Sequence, residues 1–455
     1  MHIFLTREAS GPSVHHARRH GRRGFAPLAV AMLSLGLVNP AMTQPSLTLQ
    51  AALDAAQSRS ATLEAQQAAA RAAREMAVAT GRLPDPILRL SVDNLPVEGS
   101  GRYSLTDEPM TMRSVGLAQT FTRSEKREAR SARYEREADA ALATRTTLLT
   151  RLRTQTARAW FERYFLEQML EQLQRQREET VNVSTGVESA YRGNRAPLAD
   201  VLAARAAIAR IDDRLHEVRA ELANARALLQ RWVGDAESKP LGAPPRIDGT
   251  RLAEHSLAHE IDQHPDIALM NAREHVALAT AEVARQEKSA DWSWSVMYSK
   301  RGSVFGDMVS LGVSIPLQWD QARRQDRELA ARLEQVEQVR SEREELRREH
   351  LFELQRLLSS WRSSLSRLDD YDSTLIPLAT ERAEALTAAF RGGKASLTSV
   401  LEARRMVTDT TLERLRIERQ TAAWWAELTF LIPEDLPAHA VSPTPSNHLA
   451  REPMR

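Results

Sequence analysis

The sequence predicts a mainly α-helical chain with a small β part, built from two copies of one helix–strand–strand–helix unit. Composition is the first reason. Aromatic residues make up 5% of the 455 positions and glycine 18 of them, while Ala, Arg, Glu, Gln and Leu fill long stretches. That mixture favours long helices with narrow buried seams over several compact cores. The second reason is a set of four short runs in which apolar and polar residues alternate with the period of a strand. The third is an internal repeat of the whole element order. Composition alone suits an ordinary coiled-coil scaffold equally well.

Residues 1–43 read as an export signal. Arg18, Arg19, Arg22 and Arg23 precede an apolar run from Phe25 to Val38, and Asn39-Pro40-Ala41-Met42-Thr43 follows. A basic start, a short apolar middle and small residues beyond it mark a removable leader. The run is shorter than the ~20 residues of a bilayer span and is broken by Pro27 and Gly36. Removing it takes away five Arg and one Glu, and the net charge goes from +2 to −2. The remaining chain has no global basic field to suggest nucleic acid. Without cysteine there is no disulfide and no thiolate metal site.

The first repeat is expected over 44–233. A helix from Leu47 to Ala79 ends at Gly81 and Pro84-Asp85-Pro86. Strands follow at 87–95 and 111–121, and then a helical hairpin over 124–232, reversing at Arg192-Gly193-Asn194 with Pro197 placed to open the returning helix. A Pro-rich linker covers 234–250. The second repeat, 251–433, has the same order: a helix from Leu252 to Lys288, strands at 292–300 and 309–319, and a hairpin over 321–431 that reverses at Arg391-Gly392-Gly393, with a bend expected at Pro377. Residues 434–455 read as a disordered tail. Direct alignment supports the duplication, since nine of sixteen positions from Ala190 to Arg205 are identical to those 199 residues later.

In the second pair of strands Trp292, Trp294, Val296 and Tyr298 fall on one face, and Val309, Leu311, Val313, Ile315 and Leu317 share a face of the next. Ten-residue alternation with aromatics near an end suits a strand between lipid and a wet lumen. A small sheet packed on a soluble helical body would show the same pattern. In lipid, four strands cannot close a barrel, because the smallest common barrels have about eight and open edges leave backbone groups unpaired. Several subunits would then have to contribute to one barrel. The long helices, about 70 residues at 1.5 Å each, reach roughly 100 Å and need neighbours along their apolar seams.

These features resemble the TolC-like outer-membrane efflux factor family, over nearly all of the chain from Leu47 to Pro433. The carriers are the duplicated element order and the turn Tyr191-Arg192-Gly193 with Leu198-Ala199-Asp200-Val201-Leu202, partnered around Gly392. The resemblance implies a homotrimer whose twelve strands form an outer-membrane barrel, continued by a long periplasmic α-helical barrel. It also implies a periplasmic adaptor protein and an inner-membrane pump of the resistance–nodulation–division (RND) type as partners, with no cofactor and no catalysis. Asn94–Gly99, Met110–Gly116 and Gln119–Arg127 further resemble the cobalt–zinc–cadmium branch, which implies export of heavy-metal cations, with multidrug export as the alternative.

The same resemblance places both Gly turns at the periplasmic tips. Arg192, Gly193, Arg195 and Leu198 of the first tip, with Arg391, Gly392, Gly393, Lys394 and Leu397 of the second, become candidate adaptor contacts. Gly193 and Gly392 are expected to supply a left-handed backbone, and the cations could equally cap the ends of the long helices. An acidic pair narrows the family's tunnel just past the second tip, and its positions fall here on Ser399 and Glu402. Three copies of Glu402 would make one carboxylate ring, unless Glu402 pairs with Arg404 or Arg405 on its own helix. Trp292, Trp294 and Tyr298 are candidate membrane anchors. Asp369, Asp370 and Asp372 read as a solvated cluster.

Two other classes compete. An enzyme would have to use His255, His259 and His264, but no nucleophile constellation and no phosphate loop accompany them. A non-channel periplasmic coiled-coil scaffold would use the same helices without the barrel.

Overall fold

The structure, a computed structural model, describes residues 46–250, 252, 257–302 and 304–432, without the side chains of 257–259. The expected export signal, the tail and His255 lie outside them.

Thr48 opens α1 (Leu49–Arg59), its hydroxyl accepting from the Ala51 amide. The single helix expected over Leu47–Ala79 is instead broken at Ser60. That residue adopts an extended backbone and accepts from the Leu63 amide, so it caps a second helix, α2 (Ala61–Thr80). Strand β1 (Ile87–Asp93) stops two residues before the expected Leu95, because Asn94 turns into the left-handed region at φ 56°. Strand β2 (Met112–Phe121) leads into α3 (Ser124–Arg192), an unbroken helix of 69 residues, and α4 (Leu198–Val233) returns beside it.

In the second half the helix expected over Leu252–Lys288 is two, α5 (Leu257–Asp262) and α6 (Pro265–Gln286). Pro265 occupies the first turn of α6, where its missing N–H costs nothing. Strand β3 (Trp292–Lys300) has the expected bounds. Strand β4 (Met308–Ser314) ends well short of Trp319, because Pro316 has no amide to offer the ladder. The second hairpin consists of α7 (Gln325–Asp370), a π-helical turn over Tyr371–Leu375, α8 (Ile376–Arg391) and α9 (Leu397–Phe430). The bend expected at Pro377 takes the form of that π turn. Pro377 cannot donate to the preceding turn, and the Ile376 amide reaches back to the Tyr371 carbonyl instead.

The strands form one antiparallel sheet in the order β1-β2-β3-β4, and the β2–β3 pairing, from Arg113 opposite Lys300 to Phe121 opposite Trp292, joins the two halves. Phe121 and Trp292 stack there at 4.8 Å between ring centroids. Away from the sheet, the largest core gathers Trp160, Phe161 and Phe165 of α3, Leu354, Leu358 and Trp361 of α7, and Ala422, Trp425 and Leu428 of α9. Three indoles of this core fasten chain segments that have no regular structure of their own. Trp160 Nε1 donates to the Leu47 carbonyl at 2.9 Å, Trp361 Nε1 to Ile247 at 3.0 Å and Trp425 Nε1 to Gly249 at 2.9 Å. A buried indole N–H needs such a partner, and here the partners are the entry to the first half and the linker into the second.

Between sheet and helices sits a buried cation. Lys126, in the first turn of α3, is 3% exposed. Its Nζ donates to the Ser289 carbonyl at 2.9 Å and pairs with Glu287 at 3.1 Å and Asp291 at 3.0 Å, while Arg130 reaches Glu287 at 2.5 Å. The cluster ties the start of α3 in the first half to the approach to β3 in the second. Burial works against the Glu287 charge, but the hydrogen bonds and charges of Arg130 and Lys126 outweigh it and hold the carboxyl below its ordinary value.

Lys126→Met is expected to cost about 2–3 kcal/mol, somewhat less than the ~3–5 kcal/mol for removing one partner of a fully buried pair, since Glu287 and Asp291 keep some water. Thermal unfolding in detergent, followed by circular dichroism, measures this. A carboxyl depressed in the folded state contributes stability above its ordinary pKa of 4.5 and loses it as pH falls further. The wild type should therefore lose stability below that pH, and Glu287→Gln should flatten the loss.

Candidate functional site

Registers across the sheet place whole rows of side chains on one face. Leu88, Leu117, Val296 and Leu311 form one row, and Leu90, Val115, Tyr298 and Val309 the next. The opposite face carries Ser91, Ser114 and Ser299, then Arg89, Gly116, Met297 and Ser310. The alternation expected of the four runs, clearest in the second pair, thus continues in register across the sheet. The apolar face is open, with Leu90 72% and Leu311 79% exposed. Trp292 and Tyr298 are exposed on it, Trp294 is half-buried, and the Tyr298 hydroxyl donates to Asp307. Among the described residues β1 and β4 have no strand on their outer sides. No described helix is long and apolar enough to cross a membrane.

Both hairpin tips close with the same turn. The Asn194 amide donates to Tyr191 at 2.9 Å and the Arg195 amide to Ala190 at 2.8 Å; at the second tip Gly393 donates to Phe390 at 3.0 Å and Lys394 to Ala389 at 2.8 Å. This crossed pair of bonds is a Schellman motif, which needs one left-handed residue. That residue is not Gly193 or Gly392, whose φ of −85° suits any side chain, but the next one in each tip, Asn194 at φ 57° and Gly393 at φ 70°. Asn and Gly are the residue types that reach this region at least cost.

Arg192, Arg195, Arg391 and Lys394 are exposed and make no ion pair among the described residues. The two tip leucines differ. Leu198 is 51% exposed, beside the exposed Tyr191 and Leu202, whereas Leu397 is 1% exposed and packs between Val187 and Val201. Leu397 therefore belongs to the core that joins the two hairpins, and Leu198 remains as the accessible one. Ser399 is engaged in capping α9: its amide donates to Ser396 Oγ at 3.1 Å, and the two hydroxyls lie 2.9 Å apart. Glu402 is exposed. The pairing considered for it on its own helix does not form, because Arg404 faces Glu179 and Arg405 pairs with Asp409. Asp369, Asp370 and Asp372 are exposed, as expected, and Asp372 also pairs with Arg414, which reaches both its oxygens at 2.6 and 3.0 Å.

No protein-family model and no curated protein matches the sequence. Solved structures do match the fold. The outer-membrane channel OprN superposes with a TM-score of 0.69 at 18% identity, covering 84% of this chain and 89% of its own. CusC, described for its folding and transmembrane channel formation, gives 0.66 at 16% identity over 85% and 93%. The outer membrane protein VceC from Vibrio cholerae gives 0.66 at 18% identity over 84% and 94%. The fold is that of the TolC-like outer-membrane channels. At such identities the likeness extends to the fold alone.

Within this TolC-like fold one group of side chains was not anticipated. His264 caps α6, its Nδ1 accepting from the Asp266 amide at 3.1 Å, and its ring stacks on that of His350 from α7 at 4.0 Å between centroids. His350 Nε2 lies 3.4 Å from Asp266 Oδ2, and Arg151 of α3 reaches the same carboxylate at 3.2 Å. Burial, with the neighbouring His350, pushes the His264 pKa down to about 4. Burial opposes ionisation of Asp266, but His350, Arg151, His264 and Thr147 around it hold its carboxyl well below the ordinary range. The sequence offers no local sign of the group, since His350 sits in a charge-rich helix far along the chain from Asp266. Of the histidines considered for an enzyme, only His264 has a described side chain.

Gly393→Ala should destabilise the second tip by about 1 kcal/mol, the usual cost of a left-handed backbone for a residue with a Cβ. Gly392→Ala should be nearly neutral, its nearest neighbour being 3.6 Å from a Cβ there. Gly393→Asn should fall between them, as Asn194 already occupies the matching position. Hydrogen exchange of the Lys394 amide, which closes the turn, reads the difference.

Proposed function

We propose that this chain is one subunit of a homotrimeric outer-membrane channel of a Gram-negative bacterium. It would serve as the passive exit duct of a tripartite RND-type efflux system. The observation that carries this reading is the sheet, which has one exposed apolar face, one face mainly of small and polar residues and two edges without a partner strand among the described residues. An apolar face of that extent seeks lipid or a partner, and in lipid the open edges require strands from other copies. Three copies, the number implied by the family resemblance, supply twelve strands. The helices then continue the duct into the periplasm. A non-channel scaffold would leave the apolar face without a purpose.

At the far end, the exposed Arg192, Arg195, Arg391 and Lys394, with Leu198, form the surface offered to a periplasmic adaptor. Glu402, exposed, without an ion pair among the described residues and one helical turn beyond Ser399, contributes one carboxylate per subunit to a ring that attracts cations. The duct performs no chemistry; the inner-membrane pump supplies the energy, and adaptor binding opens the tip only by its greater affinity for the open form. The cargo is a divalent heavy-metal cation. The support for that class is the resemblance of Asn94–Gly99 and Met110–Arg127 to the cobalt–zinc–cadmium branch.

Reconstituted protein should migrate as a trimer and conduct ions in a planar bilayer; a water-soluble, non-conducting protein would sink the channel reading. Glu402→Gln should lower cation over anion permeability by about fivefold, the equivalent of ~1 kcal/mol of charge attraction in a wet constriction. A deletion strain should grow poorly on zinc, cobalt or cadmium. Sensitivity to dyes alone would move the cargo to organic compounds and leave the channel intact.

A further inference from the structure

We infer that His264, Asp266 and His350 form a binding site for a divalent transition metal of the zinc and cobalt class, riveting the middle of α7 to the start of α6. One donor atom from each of the three residues lies within 4.8 Å of the others. Donors held ~2.0–2.1 Å from a tetrahedral metal stand roughly 3.4 Å apart. The separation of His350 Nε2 from Asp266 Oδ2 is 3.4 Å already. His264, stacked on His350, is the third donor, through Nε2 or through Nδ1 released from its cap. Two imidazoles and one carboxylate, with no thiolate, make a nitrogen- and oxygen-rich set suited to zinc or cobalt, and they leave a fourth position for water.

A second observation concerns hydrogen bonding. His350 Nε2 is shut off from solvent and makes no hydrogen bond, although it faces a carboxylate. Its other nitrogen, Nδ1, faces Glu353 Oε2 at 3.7 Å. Without a hydrogen bond and facing the Asp266 carboxylate, Nε2 is placed to serve as a metal ligand. One carboxylate and two imidazoles, largely screened from water, suit a cation held between them. The carboxylate behind the imidazole is the usual outer partner of a metal-bound histidine.

The cation now nearest Asp266 is Arg151, whose side chain is 62% exposed, so its contact is weak and readily displaced. Arg151 thus competes with the metal for the carboxylate, and removing it should tighten binding. Neither the site nor its test depends on the efflux reading, because the ligands come from α6, its N-cap and α7, away from the sheet and the tips.

The test is titration of the purified full-length protein in detergent, stripped with chelator, with cobalt chloride and separately with zinc chloride. We expect one tight site per chain, a visible cobalt absorption of tetrahedral intensity, and displacement of cobalt by zinc. His350→Gln and Asp266→Asn should lose the site. Glu353→Gln should weaken it about tenfold. Arg151→Ala, a surface change that leaves the fold intact, should strengthen binding, and His216→Gln, an exposed histidine on α4, should leave it unchanged. Absence of a stoichiometric cobalt site in both the wild type and Arg151→Ala would overturn the assignment. So would a cobalt spectrum that survives His350→Gln unaltered, which would mean adventitious metal on other histidines.

Discussion

A four-stranded sheet that is apolar on one face and unpaired at both edges is not a finished structure, and the rest of this protein follows from that incompleteness. Backbone groups at the edges must be satisfied and the exposed rows of Leu, Val and Tyr must be covered. Neither is done by the described residues, among which no helix packs across the sheet. The Phe121–Trp292 stack and the Lys126 cluster fix how sheet and helices join. That junction gives the strands a rigid base from which to meet neighbouring copies. Lys126 costs desolvation energy to bury, and its two carboxylates and a carbonyl offset that cost while specifying a single register between the halves.

Duplication is visible in the helical part at the level of single bonds. Trp160 donates to Leu47 and Trp361 to Ile247, so each long helix uses an indole in its middle to pin the segment that begins its own half. Each tip closes with the same two amide bonds, each long helix follows a strand, and the two glycines Gly116 and Gly312 sit on the small-residue face of the sheet. Packing the two halves around one shared aromatic core lets segments without regular structure, such as 239–250, hold a defined course. Indoles meet the carbonyls of Ile247 and Gly249, and a short parallel bridge to Leu47 holds Pro240 and Gly242.

Much of this was legible in the residues, for identifiable reasons. Long alternating strands and long charged helices carry strong periodic signals, and the repeat doubles each of them. Breaks inside helices were less legible. Ser60 ends α1 by capping α2, and an Ala-rich surrounding sequence hides a single capping hydroxyl. The left-handed tip residue was misplaced by one position, although the pairing of Asn194 with Gly393, the two residue types that tolerate that backbone, marks it once the tips are aligned. The burial of Leu397 beside an exposed Leu198 had no sequence signal, since it depends on which hairpin lies inside the other's contacts. The histidine pair was invisible for a similar reason. Its members meet only because α6 begins where α7 passes its midpoint.

The two hairpins, though copies, are mechanically unequal. Helix α3 runs 69 residues without interruption, and each of its turns reinforces the next. Its counterpart is divided at Tyr371–Leu375, where a missing proline amide leaves a wide turn closed by a longer-range bond. Arg414 of α9 clamps Asp372 inside that turn and also pairs with Glu418, so α9 braces the point where the helix is weakest. The second tip has Gly-Gly where the first has Gly-Asn, which leaves its backbone freer. A bound metal at His350 would stiffen α7 on the sheet side of the π turn and leave α8 with the tip on the other. Any movement that opens the proposed duct then costs least in the segment between the π turn and Gly393. That segment ends at the tip beyond which Glu402 stands exposed, with no ion pair among the described residues.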